Sequence, residues 1–456
     1  MNKIRPIILA LVVAAAGLLA YGLWTIPSPK PADHEGFSSA RVVEDIAVIS
    51  KEHHSVAHPE ERAKVREYLV ERLQGLGADT VMLYGYDSLV GPKNKHVVYT
   101  FDADNILAEF APENASENTP YLMFVAHYDS RYSQPMPKQD TVWSYGAADD
   151  GYGVGVTLEA VSQLLKQRAD WKQGVKVLFT DAEEVGMYGM TAQWENNREV
   201  FDNVGLMINI EARGPMGPAL LFETCPGNEK IMDLYADASK YHYTYSLTTV
   251  VYTFMPNFTD FTIVKDYIPG INFSTITDVN HYHTDKDNFS NISQKSIQHY
   301  GEQILPIAQE YLTNAEYADK DYFRSEKDTV NFTVPLLGLF NFSKTIYMVI
   351  NIVVFLLFLL VFGLEKVRGR LKSPVGVLKV SGIILGSAIG TLIIGELIAY
   401  VCAAIAGAKF NLFGVVQGVQ FDNAAMIVSM VLLLAVCVLV YISGRKKAER
   451  AASSSM

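Results

Sequence analysis

The chain has 456 residues and a formal net charge of −11, with 49% hydrophobic and only 19% charged residues and a mean hydropathy of +0.12. Soluble domains carry about a quarter charged residues, so the apolar excess points to membrane spans, and the acidic balance argues against nucleic acid as the main partner, which needs a basic face. Three cysteines, Cys225, Cys402 and Cys437, build neither a disulfide framework nor a thiolate metal cluster.

In chain order, residues 6–26 are uncharged, preceded by Lys3 and Arg5 and followed by Pro27. About 20 apolar residues cross a bilayer as a helix, and the apolar core of a cleaved signal peptide is usually shorter. Residues 1–27 are therefore expected to be an uncleaved anchor. Residues 38–78 read as helix, with Val65, Tyr68, Leu69, Leu73 and Leu76 at spacings of three and four. Short apolar runs at 81–84, 96–101, 105–110 and 121–126 read as strands. A helix over 154–165, a strand over 175–179, a helix over 187–196, strands over 204–210 and 219–222, a helix over 229–239, a strand near 270–273 and a helix over 293–313 complete the pattern. Strands alternating with helices predict a three-layer α/β/α domain with a mainly parallel central sheet. It is expected to fill residues 28–320, with a linker over 321–344.

Three further apolar runs, 345–364, 380–406 and 424–443, predict three transmembrane helices within 345–443, followed by a tail over 444–456. Lys366, Arg368, Arg370 and Lys372 fill the connection between the first two, and Arg445, Lys446, Lys447 and Arg450 follow the last. Basic flanks face the cytoplasm. Both ends of the chain give the same orientation: a multi-pass membrane protein with residues 28–344 outside the cytoplasm and the lipid bilayer as a partner.

Parallel sheets gather ligand groups beyond the carboxyl ends of their strands. His127 and Asp129 follow one apolar run, Glu183 and Glu184 another, and Glu211 a third. Asp149 and Asp150 lie in a glycine-flanked turn, and His283 lies in the string His281-Tyr-His-Thr-Asp-Lys-Asp287. Imidazoles with carboxylates suit zinc. Carboxylates cluster only where a cation or a proton removes their repulsion, and a carboxylate between two ions holds both, about 3.5–4 Å apart. Singly, each piece has a bland reading: a His-x-Asp pair at a strand end is most often structural, and a Glu-Glu pair is most often a solvated face. Their occurrence together and in order is the signal.

These motifs, over roughly residues 38–315, resemble the zinc exopeptidase family that includes bacterial leucyl aminopeptidases and glutamate carboxypeptidases. The resemblance implies two Zn2+ ions, with one as the alternative. It makes His127, Asp149, Glu184, Glu211 and His283 the ligands, with Asp149 bridging and followed by a cis peptide. Asp129 is implied to orient the His127 ring. Glu184 is implied to hold the ion opposite that of His283, subject to how the two sites are labelled, and Glu211 to complete the remaining site. Glu183 is implied to be general base and then general acid, and Tyr282 to steady an oxyanion. Asp260 matches a recurrent acidic region of less certain role. The implied activity is removal of N-terminal residues from a peptide substrate.

Three departures stand out. Position 211 is Glu where Asp is common, Tyr152 stands where a smaller residue is usual and is expected to alter the pocket rim, and no basic residue for a substrate carboxylate is evident beyond Arg213, close after Glu211. The alternatives are a single-zinc glutaminyl cyclase-like acyltransferase and a catalytically silent receptor or subunit. His53 and His54 read as surface residues, and the glycines at 151, 153 and 155 resemble a phosphate loop only faintly.

Overall fold

The computed structural model describes residues 11, 26–91, 100–133, 142–255, 257–334 and 337–369, with single positions at 382, 385–386, 389–390, 393–394, 397, 400–401 and 442. The chain divides into two units, Met1–Tyr347 and Met348–Met456.

In the first unit the helical region predicted over 38–78 is two helices, α1 Ser39–Ile49 and α2 Pro59–Gly75. Pro59 cannot continue a helix from its N-terminal side but suits a first helical position. The connection carries His54, which is buried rather than on the surface. Its Nδ1 donates to the Glu52 carbonyl at 2.9 Å, and burial pushes its pKa down to about 4.

The strands are β1 Thr80–Val90, β2 Thr100–Phe110, β3 Tyr121–His127, the short pair β4 Tyr132–Ser133 and β5 Val142–Trp143, then β6 Gly174–Thr180, β7 Val204–Ala212, β8 Leu220–Thr224 and β9 Gly270–Thr275. Seven form one sheet in the order β1-β2-β6-β3-β7-β9-β8. The central four, β6, β3, β7 and β9, run parallel. The pairs β1–β2, β2–β6 and β8–β9 are antiparallel, so the mainly parallel expectation describes the centre and the sheet as a whole is mixed. Burial explains the division. β6 and β7 are buried at every residue, as strands covered on both faces must be, whereas β1 at the edge is exposed along most of its length.

The layers follow from handedness. The crossover from β3 to β6 passes through α3, Gly151–Leu164, and the crossover from β6 to β7 through α4, Tyr188–Asn196. They move in opposite directions across the sheet, so right-handed crossovers place α3 and α4 on opposite faces. The glycines of α3 serve packing: a Cβ on Gly155 would stand 2.8 Å from Val42 Cγ1 of α1, and one on Gly153 would collide with the Asp150 carboxylate. Tyr152 points into the core, where its hydroxyl donates to the Pro215 carbonyl and accepts from the Ser293 N–H, both at 2.7 Å. It therefore does not shape a pocket rim.

The remaining helices are α5 Glu229–Ala238, α6 Ser246–Thr253, α7 Asp260–Val264 and α8 Gln294–Thr313. Residues 321–344, read as a linker, contain a hairpin of β10 Thr329–Val334 and β11 Gly338–Ser343 with stacked Phe332 and Phe340 rings. Helix α9, Lys344–Val367, has a mean hydropathy of 2.8 and is long and apolar enough to cross a membrane, in agreement with the run at 345–364. The expected anchor at 1–27 and the spans at 380–406 and 424–443 lie outside the described residues, apart from single positions.

Phe124 sits in β3 at the centre of the sheet with 0% exposure. Phe124→Ala is expected to cost about 3–5 kcal/mol, read as a lower midpoint of thermal unfolding; an unchanged midpoint would contradict the placement of β3 at the core.

Candidate metal centre and active site

The strand order reverses at β3, which has β6 on one side and β7 on the other. The carboxyl end of β3 is therefore the topological switch point, where open α/β sheets hold ligands. His127 is the last residue of β3 and Glu211 lies one residue before the end of β7. Glu183 and Glu184 follow β6, Asp149 precedes α3, and His283 follows β9. All five expected ligand residues converge there in two groups that share one member: His127, Asp149 and Glu211, and Asp149, Glu184 and His283, with the potential ligand atoms of each group within 4.8 Å of one another.

His127 Nε2 lies 3.2 Å from Asp149 Oδ1 and 3.8 Å from Glu211 Oε2. His283 Nε2 lies 3.3 Å from Asp149 Oδ2 and 2.9 Å from Glu184 Oε2. The grouping differs from the expected one: Glu184 stands with His283, and Glu211 with His127. Asp149 lies between both groups, and the Asp149–Asp150 peptide is cis. Glu183 Oε2 is 4.0 Å from His127 Nε2, so the consecutive glutamates divide, Glu184 toward His283 and Glu183 toward His127.

Buried polar atoms normally find hydrogen bonds. Here Asp149 Oδ2, Glu184 Oε1 and His283 Nε2 are buried without one among the described residues. Acceptor oxygens and ring nitrogens that face one another without hydrogen-bond geometry fit a shared cation. The titration directions agree. Burial disfavours the charged forms of Glu183 and Glu211, and the neighbouring carboxylates raise both further, well above the usual range. Burial opposes charge on His127 too, but the carboxylates of Asp129, Asp149 and Glu183 override it and raise its pKa well above the ordinary value. His283 is raised in the same way by Glu184 and Asp149. Protons thus stabilise what a cation would otherwise stabilise, and metal would displace them.

Surrounding residues hold these groups in place. Asp129 does more than back a ring: its carboxylate accepts the N–H groups of Glu183 at 2.9 Å and Glu184 at 3.3 Å. The His127 Nδ1–H is held by the Asp129 carbonyl at 3.0 Å, with the carboxylate at 3.5 Å. Ala182 and His283 adopt positive φ, 57° and 58°, a region that non-glycine residues occupy only where surroundings enforce it. Asp287 was not foreseen as a site residue. It is buried and accepts from the N–H groups of Ala148 at 2.7 Å and Asp149 at 3.2 Å. Its only sequence signal was an acid four residues after His283. Tyr282 stacks on the His283 ring, centroids 3.5 Å apart. Tyr252, also unforeseen, has a buried hydroxyl without a partner among the described residues, in the field of Glu223, Glu211, Arg213 and Glu183. Asp260 is buried and accepts from the Thr180 hydroxyl, and burial pushes it up to about 6.

The model of Peptidase family M28 matches residues 105–308, the segment that contains all five expected ligand residues. The chain is similar to "Endoplasmic reticulum metallopeptidase 1" of Mus musculus, 27% identical over 284 residues, 60% of this chain and 30% of that protein. It is similar to "Vacuolar membrane protease" of Candida dubliniensis, 28% identical over 273 residues, 59% of this chain and 27% of that protein. The chain thus spans about 30% of the length of these relatives. Solved structures that align include a Porphyromonas gingivalis glutaminyl cyclase, at 20% identity, TM-score 0.49 and coverage of 60% of this chain and 99% of that one. A Zn-dependent exopeptidase from Parabacteroides distasonis aligns at 19% identity, TM-score 0.48 and coverage of 60% and 98%. The match to Peptidase family M28 bears out the resemblance read from the sequence.

Burial pushes Asp181 and Asp287 up to about 7. The folded chain keeps protons there that the unfolded chain has released, so their stabilisation is present at low pH and is lost as pH rises through about 7. The raised His127 and His283 act in the same sense. His54 and His299, pushed down to about 4, oppose this only below roughly pH 6.5. Chelator-treated protein is therefore expected to lose thermal stability between about pH 6.5 and 8, by at most about 1.4 kcal/mol per group per pH unit; a midpoint that rises over that window contradicts the burial of these acids.

Proposed function

We propose that this chain is a membrane-anchored zinc exopeptidase that removes N-terminal residues from peptides outside the cytoplasm. The observation that carries the reading is the Asp149 carboxylate shared between two His–carboxylate groups. In this reading His127, Asp149 and Glu211 would hold one zinc, and Asp149, Glu184 and His283 would hold the second. Bound zinc supplies Lewis acidity, lowering the pKa of water toward about 7 and polarising a carbonyl.

The chain's own groups perform the proton chemistry. Glu183 stands beside the ligands without belonging to either group, and its backbone is fixed by Asp129. It takes the proton of the attacking water and returns it to the leaving amine, so one carboxylate serves as base and then as acid. The Tyr252 hydroxyl, buried and without a partner among the described residues, is available to donate to the developing oxyanion. Tyr282, stacked on His283 and faced by Arg213, is the second candidate for that role.

The basic flanks of the apolar runs support the orientation, and the similarity to a protein named vacuolar membrane protease supports the membrane setting. Asn114 lies exposed on the loop between β2 and β3. A cysteine placed there is expected to react with an impermeant thiol reagent on intact cells; labelling only after lysis would reverse the orientation.

Glu183→Gln is expected to lower kcat/KM on unblocked peptides by about 10²- to 10⁴-fold while zinc content stays unchanged. Unaltered activity would remove Glu183 from the mechanism, and cleavage of N-blocked peptides at internal bonds would remove the aminopeptidase reading.

A further inference from the structure

Arg213 immediately follows β7 and stands two residues beyond Glu211. Its backbone continues the sheet, with its N–H donating to the Thr275 carbonyl at 2.9 Å and to Ser274 Oγ at 3.2 Å. Arg213 lies at the bend that ends β7, so the strand that delivers Glu211 to the metal groups also places Arg213 near them. The guanidinium lies over the Tyr282 ring, 5.3 Å from its centroid, and that ring stacks on His283 at 3.5 Å. The charge therefore stands one aromatic ring beyond a ligand residue.

The two other arginines near the site are committed. Arg62 donates to the Asp102 carbonyl and pairs with Asp181 at 3.4 Å. Arg131 donates to the Glu184 carbonyl and approaches its carboxylate at 3.4 Å. Arg213 is half-buried, and among the described residues its side chain has neither a hydrogen-bond acceptor nor an ion-pair partner within 4.0 Å. It is thus not the structural counter-ion of Glu211 or Glu183. Stacking on an aromatic face leaves the N–H edge of a guanidinium free, and that planar fork matches a carboxylate.

We propose that Arg213 is a substrate-binding residue that receives a carboxylate of the peptide, either its C-terminal α-carboxylate or an acidic side chain next to the scissile bond. This inference rests on the peptide-hydrolase reading above. Short peptides would then be held at both ends, with the scissile carbonyl at the metal groups and the carboxylate at Arg213. Asp149, Glu183, Glu184 and Glu211 make the crevice acidic, so an anionic substrate needs a cation at this position.

The test uses the full-length, zinc-loaded chain in detergent micelles with Leu-Ala, Leu-Ala amide and Leu-Glu amide. A preference for Leu-Ala over its amide assigns the α-carboxylate, and a preference for Leu-Glu amide over Leu-Ala amide assigns the side chain. Either preference is expected at roughly 10- to 100-fold, chiefly in KM. In Arg213→Gln the ratio is expected to fall to about one, and in Arg213→Lys to an intermediate value, since lysine keeps the charge but not the fork. Equal KM values for all three substrates in the wild type, or a preference that survives in Arg213→Gln, overturn the proposal. Calorimetric binding of the same peptides to Glu183→Gln, with and without Arg213→Gln, separates this inference from the reading beneath it. Carboxylate-selective binding that depends on Arg213 without wild-type turnover upholds the subsite and sinks the peptidase. Turnover without carboxylate selectivity does the reverse.

Discussion

The Asp149 carboxylate is the constraint on which the rest of the molecule turns. One of its oxygens faces His127 and the other faces His283, with Glu211 completing one group and Glu184 the other. Four carboxylates, counting Glu183, are packed into one buried crevice. Their mutual repulsion at low dielectric is far larger than in water, so the arrangement persists only if positive charge is placed among them. Protons on the imidazoles and glutamates supply part of it, and divalent cations would supply more. Metal affinity, pH and folding therefore act on one shared balance of charge.

The fold supports that crowding with rigid backbone. Three of the expected ligand positions are at or just beyond the ends of parallel strands whose interiors are buried and mainly apolar. The turns between them are tied by buried acids: Asp129 binds the Glu183 and Glu184 amides, and Asp287 binds the Ala148 and Asp149 amides. Tyr300 donates to the Glu211 carbonyl at 2.6 Å. Each tie fixes where a ligand oxygen points and relieves a backbone group that burial would otherwise leave unpaired. A site held by strand ends keeps its geometry better than one carried on loops alone.

Much of this was legible in the amino-acid order. The runs that became β3, β6, β7 and β9 are mainly apolar stretches, broken only by Lys176, Asn209 and Asn272, with an acid or histidine beyond them, and that pattern survives without any knowledge of tertiary contacts. Four features were not legible. Pro59 splits the first helical region, but the spacing on either side of it reads as one periodicity. The division of Glu184 and Glu211 between the two groups depends on which strands are neighbours, which periodicity does not report. The burial of His54 and Tyr152 depends on partners distant in sequence, the Ser130 hydroxyl that accepts the His54 N–H for one and the Ser293 amide for the other. Helix α6 went unseen because none of its residues is buried, so it carries no apolar face to read.

The most direct measurement of the central claim is zinc stoichiometry, taken on the purified chain and on two variants. A carboxylate that holds two ions together predicts two zinc per wild-type chain, loss of both in Asp149→Ala, and retention of one in Glu211→Ala. One zinc per wild-type chain, or an Asp149→Ala protein that keeps an ion at wild-type affinity, would show that the two groups do not share a bridging ligand.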